Sequence, residues 1–192
     1  MSKIFVIGMH KTGLTSMWDA LNILGYTAAH GGNPNACLLF PYWPSNMLIS
    51  NYSDKEEKLN PFWDYVVSSG YYKYDAFMDY PVMWIYKYLD KQEPESKFIY
   101  TQRNVADVVT STTNHASQII GLSTPVSKDI SDRYLNHQTA VLDYFEGKDN
   151  LLIMDIVDNG DGWEKLCGFL KIDKIPELPF PHSNVGLYRK NE

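Results

Sequence analysis

The sequence predicts one α/β domain, in which a mostly parallel sheet lies between two helical layers and which spans all 192 residues. Two observations predict this three-layer fold. Short apolar runs alternate with stretches of helical periodicity, and the first apolar run ends at a glycine that leads directly into a helix. Ligands of such sheets bind beyond the carboxyl ends of the strands, so the polar residues after each apolar run are the candidate site.

Four strands and five helices are predicted along the chain. Apolar runs bounded by turn residues predict strands over 3–8, 75–81, 97–103 and 150–156. Apolar residues at helical spacing predict helices over 15–25, 81–91, 104–119, 131–147 and 161–171. Gly25 ends the first helix, and Pro81 takes the favoured first turn of the second. Residues 34–74 are rich in Tyr, Trp and Asn and predict a helical insertion over the carboxyl edge of the sheet, with aromatic core packing as the alternative.

Composition and charge exclude several classes of function. A net charge of −6 argues against a broad nucleic-acid-binding face, which needs clustered Lys and Arg. The apolar runs are too short for a signal-peptide core or a membrane span. The five histidines lack the spacing of metal ligands, and Cys37 and Cys167 lie far apart. We therefore expect a soluble, cytoplasmic protein with reduced thiols, no metal, and no membrane or nucleic-acid partner.

The opening segment IFVIGMHKTGLTSM has the glycine spacing of a phosphate-binding loop. Gly8 and Gly13 give the GxxxxG pattern between a strand and a helix, where backbone N–H groups and the positive helix end attract an anion. In loops that hydrolyse ATP or GTP a lysine follows the second glycine, whereas Leu14 stands here and the lysine is Lys11. Asp155 is the one acidic residue placed to hold Mg²⁺ after a later strand. The loop suits one phosphate with a cation near its bridging oxygen rather than a metal-bound triphosphate.

The wider segment FVIGMHKTGLTSMWDALNILGY resembles the 5′-phosphosulfate loop of the sulfotransferases, which binds the donor 3′-phosphoadenosine 5′-phosphosulfate (PAPS). The resemblance implies that Lys11 contacts the 5′-phosphate and bridging oxygen and stabilises the leaving phosphate during catalysis. It also implies that the following residues supply backbone and hydroxyl donors to the cofactor: Thr12, Gly13, Leu14, Thr15 and Ser16. Leu14 replaces the family's usual threonine, so a hydroxyl is lost while the N–H remains. His10 lies inside the same loop and completes the candidate cofactor site.

A second motif follows the third predicted strand. In YTQRNVADVVTS, Arg103 stands at the strand end and Ser111 follows eight positions later on the next helix. The family holds the 3′-phosphate of PAPS with such a pair, and Asn104 and Asp107 match its RNPxD pattern, in which Val105 replaces the proline. A guanidinium forks onto phosphate oxygens, and two helical turns bring the hydroxyl to the same anion. In the alternative interpretation Arg103 caps a surface helix and Ser111 is solvated.

The last third of the chain carries the resemblance further. The segment LLIMDIVDNGDGWEKLCGFLKIDKIPELPFPHSN resembles a branch of the family in which a strand is followed by a Gly-Trp helix and a PFPHxN tail. The resemblance is weakest from Ala29 to Tyr74, where the acceptor would be selected. It implies the P-loop sulfotransferase architecture, a small-molecule or glycan acceptor, and adenosine 3′,5′-bisphosphate as the product.

Sulfuryl transfer also needs a base for the acceptor's proton. The family's base is often a histidine two residues before a proline, ahead of the 3′-phosphate arginine, and other branches use an acidic residue. Asp79 precedes Pro81 by two residues and Arg103 by 24, so it is the candidate base. Alternatively, its carboxylate caps the helix predicted near Pro81. His10 and His115 are the next candidates.

Three functions fit these motifs. The leading one is a PAPS-dependent sulfotransferase that acts on an alcohol, phenol or amine. The second is a phosphate-loop kinase, which Leu14 and the pair of Arg103 and Ser111 disfavour. The third is a binding protein that keeps the nucleotide site but has lost its chemistry.

Overall fold

A parallel sheet forms the centre of the protein. The computed structural model describes residues 2–30, 56–68, 70–118 and 127–183. Within these ranges the strands are β1 (Ile4–Val6), β2 (Ala28–His30), β3 (Ala76–Met78), β4 (Lys97–Thr101) and β5 (Leu151–Met154). They lie in the order β2-β3-β1-β4-β5, and each neighbouring pair is parallel. The loop after β1 therefore leaves the middle of the sheet at the edge where ligands of such sheets bind.

Helices cover both faces of this sheet. The described helices are α1 (Leu14–Ile23), α2 (Glu56–Ser68), α3 (Tyr86–Gln92), α4 (Val105–Gln118), α5 (Ser127–Phe145) and α6 (Trp163–Leu170), with a short 3-10 helix over Tyr71–Lys73. Side chains alternate along the first strand, so Phe5 and Ile7 pack with α2, α3 and α5, whereas Ile4 and Val6 pack with α1 and α6. The predicted three-layer α/β fold is confirmed.

The edge strand β2 was missed by the sequence prediction. It consists of Ala28, Ala29 and His30, which lack the β-branched and aromatic residues typical of strands. The two alanines are buried, and the strand pairs in register with Ala76–Met78. Tertiary pairing, rather than local propensity, makes this strand.

The helix predicted from Pro81 begins later in the structure, at Tyr86. Residues 81–85 form turns, closed by hydrogen bonds from the Trp84 N–H to the Pro81 carbonyl (2.8 Å) and from the Ile85 N–H to the Val82 carbonyl (3.3 Å). These turns let the segment bury Val82 and Ile85 in one part of the core and Met83 in another. The prediction of a helix that begins at Pro81 is therefore wrong.

The predicted insertion over 34–74 lies partly outside the described residues. Inside it the structure describes α2 and the 3-10 helix, and Leu59, Val66 and Tyr71 are buried against the core. The insertion and the single domain stay predictions. In the part of the chain that the structure describes, no helix combines the length and apolar character needed to cross a membrane.

Candidate functional site

The loop after β1 has the geometry that its glycine spacing predicts. A Cβ on Gly8 would lie 1.9 Å from Thr101 Oγ1 and 2.5 Å from the Thr101 carbonyl oxygen, so only glycine lets β4 pass this close. Gly13 has a φ of 97° and stands immediately before α1. Lys11 also has a positive φ, of 71°. The loop therefore folds back sharply and leads into the amino end of α1, whose first N–H groups have no acceptor within the helix.

Thr12 and Leu14 hold the loop from inside. The Thr12 hydroxyl is fully buried and donates a hydrogen bond to the Met9 carbonyl (2.6 Å). The Leu14 side chain is also buried and packs in the same core cluster as Ile156, where a threonine hydroxyl would lack water. These two residues offer a ligand their backbone N–H groups rather than their side chains.

Ser16 connects the loop to the tail of the chain. Its hydroxyl oxygen accepts a hydrogen bond from the Ser183 N–H (3.0 Å), and the Ser183 hydroxyl donates to Asp19 in the same helix. The tail is also fixed upstream, since the Trp163 indole donates to the Leu178 carbonyl (2.7 Å). Ser16 therefore anchors the tail against the first turn of α1.

Asp79 lies opposite the loop, within hydrogen-bond distance of His10 and close to His30. His10 Nδ1 is 2.8 Å from Asp79 Oδ1, and His30 Nε2 is 3.9 Å from Asp79 Oδ2. Burial acts to raise the pKa of Asp79, but the hydrogen bond and charge of His10 and the Tyr80 N–H outweigh it, so this pKa is lowered. The sequence had suggested Asp79 as a helix cap, but α3 begins at Tyr86, and this alternative is wrong.

Lys11 carries the positive charge of the loop. Burial lowers the pKa of Lys11 from its ordinary value, while the negative charge of Asp79 opposes that shift. An ammonium group that is partly desolvated interacts strongly with a nearby anion. Lys11 and Asp79 therefore place a cation and an anion close enough to interact electrostatically.

Arg103 reaches the loop from the end of β4. Its Nη1 donates to the Lys11 carbonyl (3.4 Å), and its Nε lies 3.5 Å from Asp158 Oδ1. The main chain of Arg103 is fixed by Tyr134, whose hydroxyl accepts from the Arg103 N–H (2.9 Å) and donates to the Arg103 carbonyl (2.8 Å). The cap of α4 is Asn104 instead, because its side-chain oxygen accepts from the Ala106 N–H (2.9 Å). Arg103 is thus a positioned cation beside the loop.

Ser111 lies on α4 with a partly exposed side chain. One helical turn further on, burial lowers the pKa of His115, and the charges of Lys11 and His10 lower it further. Arg103, just before α4, donates to the Lys11 carbonyl, so the start of α4 lies beside the loop. The two sequence motifs therefore come together at the carboxyl edge of the sheet.

Asp155 is engaged within its own loop. Its Oδ1 accepts from the Asp158 N–H (2.9 Å), and its Oδ2 accepts from the Asn159 side-chain amide (3.1 Å). The residue is buried, so its carboxylate shapes the turn after β5. In the described ranges, no group of three or more His, Cys, Asp or Glu residues is arranged to hold a metal ion.

Sequence reasoning missed four side chains around this site: His30, Thr101, Tyr134 and Asp158. Thr101 had a detectable signal, since it is a polar residue at the end of a buried strand, two residues before Arg103. His30 was hidden because its strand was missed. Nothing local marks Tyr134 or Asp158, whose contacts with Arg103 join segments that are far apart in sequence.

Comparison with known proteins identifies the family. No curated protein matches the chain in sequence. The profile of the sulfotransferase domain matches residues 3–124 and 121–187, which include the loop after β1, Arg103 and the tail. Since the match covers most of the sequence, the chain belongs to the sulfotransferase domain family.

Proposed function

We propose that the protein transfers the sulfuryl group of PAPS to a hydroxyl or amine of a small molecule or glycan and releases adenosine 3′,5′-bisphosphate. Membership of the sulfotransferase domain family supports a sulfotransferase in general. The observation that carries the finer proposal is the hydrogen bond from Arg103 to the Lys11 carbonyl, which joins two cationic elements 92 residues apart. PAPS has two separate anionic groups, and two such elements match them.

The loop after β1 suits the 5′ side of the donor. Gly8 has no side chain, so the backbone of the loop and the end of β4 lie close together, and Gly13 allows the sharp turn into α1. A phosphate-binding loop requires both features. The N–H groups of the loop and of the first turn of α1 bind the anion, with the Ser16 hydroxyl beside them. Lys11 stabilises the negative charge that develops on the leaving phosphate.

The 3′-phosphate is assigned to Arg103 and Ser111. A guanidinium that already contacts the Lys11 carbonyl and Asp158 loses little further freedom when it forks onto phosphate oxygens. The Ser111 hydroxyl, on α4, adds a donor. PAPS supplies the sulfuryl group when it is bound. Asp79 takes part in removing the acceptor's proton.

Residues 34–74 are proposed to form the side of the site that binds the acceptor. Residues 1–192 are proposed to form a single domain. This segment includes α2, which packs on the sheet face covered by α3 and α5. The buried, free thiol of Cys167 supports a reducing compartment, and we propose the cytoplasm.

The test is a thermal-shift comparison of nucleotides. Adenosine 3′,5′-bisphosphate is expected to stabilise the protein in EDTA, because both anions are held by protein groups. At about one hundred times its dissociation constant it adds roughly 2.7 kcal/mol to the free energy of unfolding. ATP with Mg²⁺, GTP and ADP are the comparison ligands. Stabilisation by ATP with Mg²⁺ and not by the bisphosphate would overturn the proposal in favour of a kinase.

A further inference from the structure

The carboxylate of Asp79 is turned towards protein groups. Its Oδ1 accepts from the Tyr80 N–H (2.9 Å) and lies 2.8 Å from His10 Nδ1, while its Oδ2 lies 3.9 Å from His30 Nε2. The side chain of Asp79 is 14% exposed, and that of His10 is 50% exposed. An acceptor molecule arriving from solvent therefore meets the imidazole of His10 more readily than the carboxylate behind it.

The same contacts determine where the proton of His10 lies. Although burial acts to raise the pKa of Asp79, its hydrogen bonds and the nearby histidines lower it, so the carboxylate is ionised near neutral pH. An ionised carboxylate only accepts hydrogen bonds, so Nδ1 of His10 is the donor. In the neutral imidazole the lone pair is then on Nε2, which points away from the carboxylate.

A carboxylate with a lowered pKa is a weak base, so Asp79 is poorly suited to take a proton at neutral pH. The other groups around His10 are Lys11, His30 and His115. Burial lowers the pKa of each of these three side chains, so both histidines are neutral at pH 7. Asp79 is the anion in contact with His10, with its Oδ1 2.8 Å from His10 Nδ1.

We propose that His10 is the catalytic base of the transfer and that Asp79 is a positioning residue that holds the His10 imidazole. This inference rests on the proposed sulfotransferase function and deepens it. His10 stands directly before Lys11, so the base and the cation at the leaving phosphate are neighbours on one loop.

The proposed step moves one proton, forms one bond to sulfur and breaks one S–O bond. His10 Nε2 takes the proton of the acceptor's hydroxyl or amine as the acceptor atom bonds to sulfur. Lys11 stabilises the bridging oxygen, which keeps the electron pair of the breaking S–O bond. Asp79 stabilises the imidazolium of His10, which then returns its proton to water.

The kinetic test compares three variants with an acceptor found by screening phenols, sugars and amines against radiolabelled PAPS. His10→Gln is expected to slow transfer by about 10²- to 10⁴-fold, with bisphosphate affinity nearly unchanged because backbone groups hold the phosphate. Imidazole in the buffer is expected to restore part of the activity of His10→Ala. Asp79→Asn keeps an acceptor for Nδ1 but loses the charge, so a smaller loss and an altered pH–rate profile are expected. Asp143→Asn, at an exposed position on α5, is the matched control for the carboxylate-to-amide change and is expected to stay active.

A second measurement needs no donor or acceptor. The ¹⁵N chemical shifts of the His10 ring in the nucleotide-free protein report its tautomer, and a proton on Nδ1 is expected at pH 8. Asp79→Ala is expected to release this preference. A proton on Nε2 in the parent protein would overturn the inference whether or not transfer is observed.

The two proposals fail in different ways. Transfer by His10→Gln at the parent rate, with Asp79→Asn inactive, would make Asp79 the direct base and overturn the inference alone. A folded parent protein that binds no bisphosphate and transfers no sulfuryl group would overturn the proposed function, and the inference would fall with it.

Discussion

The hydroxyl oxygens of Thr12 and Thr101 lie 2.7 Å apart, although 89 residues separate them in the chain. Both residues are fully buried. Because the Thr12 hydrogen is donated to the Met9 carbonyl, Thr101 has to be the donor of the pair. This bond fastens the loop after β1 to the end of β4, the strand that leads to Arg103. The two candidate phosphate sites are thus joined beneath the surface on which a ligand would lie.

Replacing either threonine with valine tests this joint. Thr101→Val removes one donor and is expected to lower the free energy of unfolding by about 1 kcal/mol. Thr12→Val leaves the Met9 carbonyl and the Thr101 hydroxyl without their partner, so a loss of about 2 to 3 kcal/mol is expected. Urea denaturation of both single variants and the double variant gives the coupling energy. Additive losses would contradict a direct bond.

Gly8→Ala is expected to disrupt the loop itself. Its Cβ would be 1.9 Å from Thr101 Oγ1 and 2.5 Å from the Thr101 carbonyl, so the backbone has to move. Overpacking of this kind costs about 1 to 3 kcal/mol or more, and bisphosphate binding is expected to be lost with the loop geometry. Calorimetric titration and thermal unfolding measure the two effects.

Gly168→Ala is the matched control for that variant. Gly168 lies inside α6, and nothing approaches within 4 Å of the position of its Cβ. Alanine favours a helix over glycine by up to about 1 kcal/mol, so this variant is expected to be at least as stable as the parent and to bind normally. If Gly8→Ala also binds normally, the close packing at Gly8 is not needed for the site.

The local features of the loop could be predicted from the sequence because each depends on neighbouring residues. Gly8 and Gly13 mark a strand-to-helix turn, and the turn fixes where the backbone N–H groups point. Arg103 could be placed at a strand end for the same reason. The contact between these elements was expected from the fold class, since the carboxyl ends of parallel strands share one edge.

The environment of Asp79 could not be predicted in the same way. Its φ of 73° and its contact with His10 depend on how β3 is placed beside β1, not on the residues around it. The Pro81 signal predicted a helix, and burial of Val82, Met83 and Ile85 overrode that local preference. The contact that Asp79 makes is therefore with His10 rather than with the start of a helix.

The burial of His137 leads to a prediction about how the free energy of unfolding depends on pH. It is 4% exposed, and its Nε2 donates to the Ile7 carbonyl (2.8 Å), because a carbonyl only accepts. Burial lowers the pKa of His137, although the Ile7 carbonyl opposes the shift. Below about pH 6.5 the His137 side chain therefore binds a proton in the unfolded chain but not in the folded protein. This difference lowers the free energy of unfolding as the pH falls.

The expected slope is about 0.7 kcal/mol per pH unit at pH 6.5 and rises to at most about 1.4 kcal/mol per pH unit about one pH unit lower, with almost no contribution from this group above pH 7.5. Urea denaturation between pH 5 and 8 measures it. His137→Gln keeps a donor for Ile7 and is expected to reduce the slope, whereas His182→Gln, at an exposed position, is expected to keep it. An unchanged slope in His137→Gln would assign the acid sensitivity to another group.

The last prediction concerns the 3′-phosphate. Arg103→Ala is expected to weaken binding of adenosine 3′,5′-bisphosphate by about 10- to 150-fold, since a charged hydrogen bond contributes roughly 1.5 to 3 kcal/mol. Adenosine 5′-monophosphate lacks the 3′-phosphate, so its affinity is expected to change little. Arg103 also donates to the Lys11 carbonyl, and a loosened loop would weaken both nucleotides. Ser111→Ala separates these effects, because Ser111 lies on α4, outside the loop, and its loss is expected to weaken only the bisphosphate, by about tenfold. Isothermal titration of both nucleotides on both variants makes the measurement, and equal losses for the two nucleotides in both variants would remove Arg103 and Ser111 from the 3′-phosphate site.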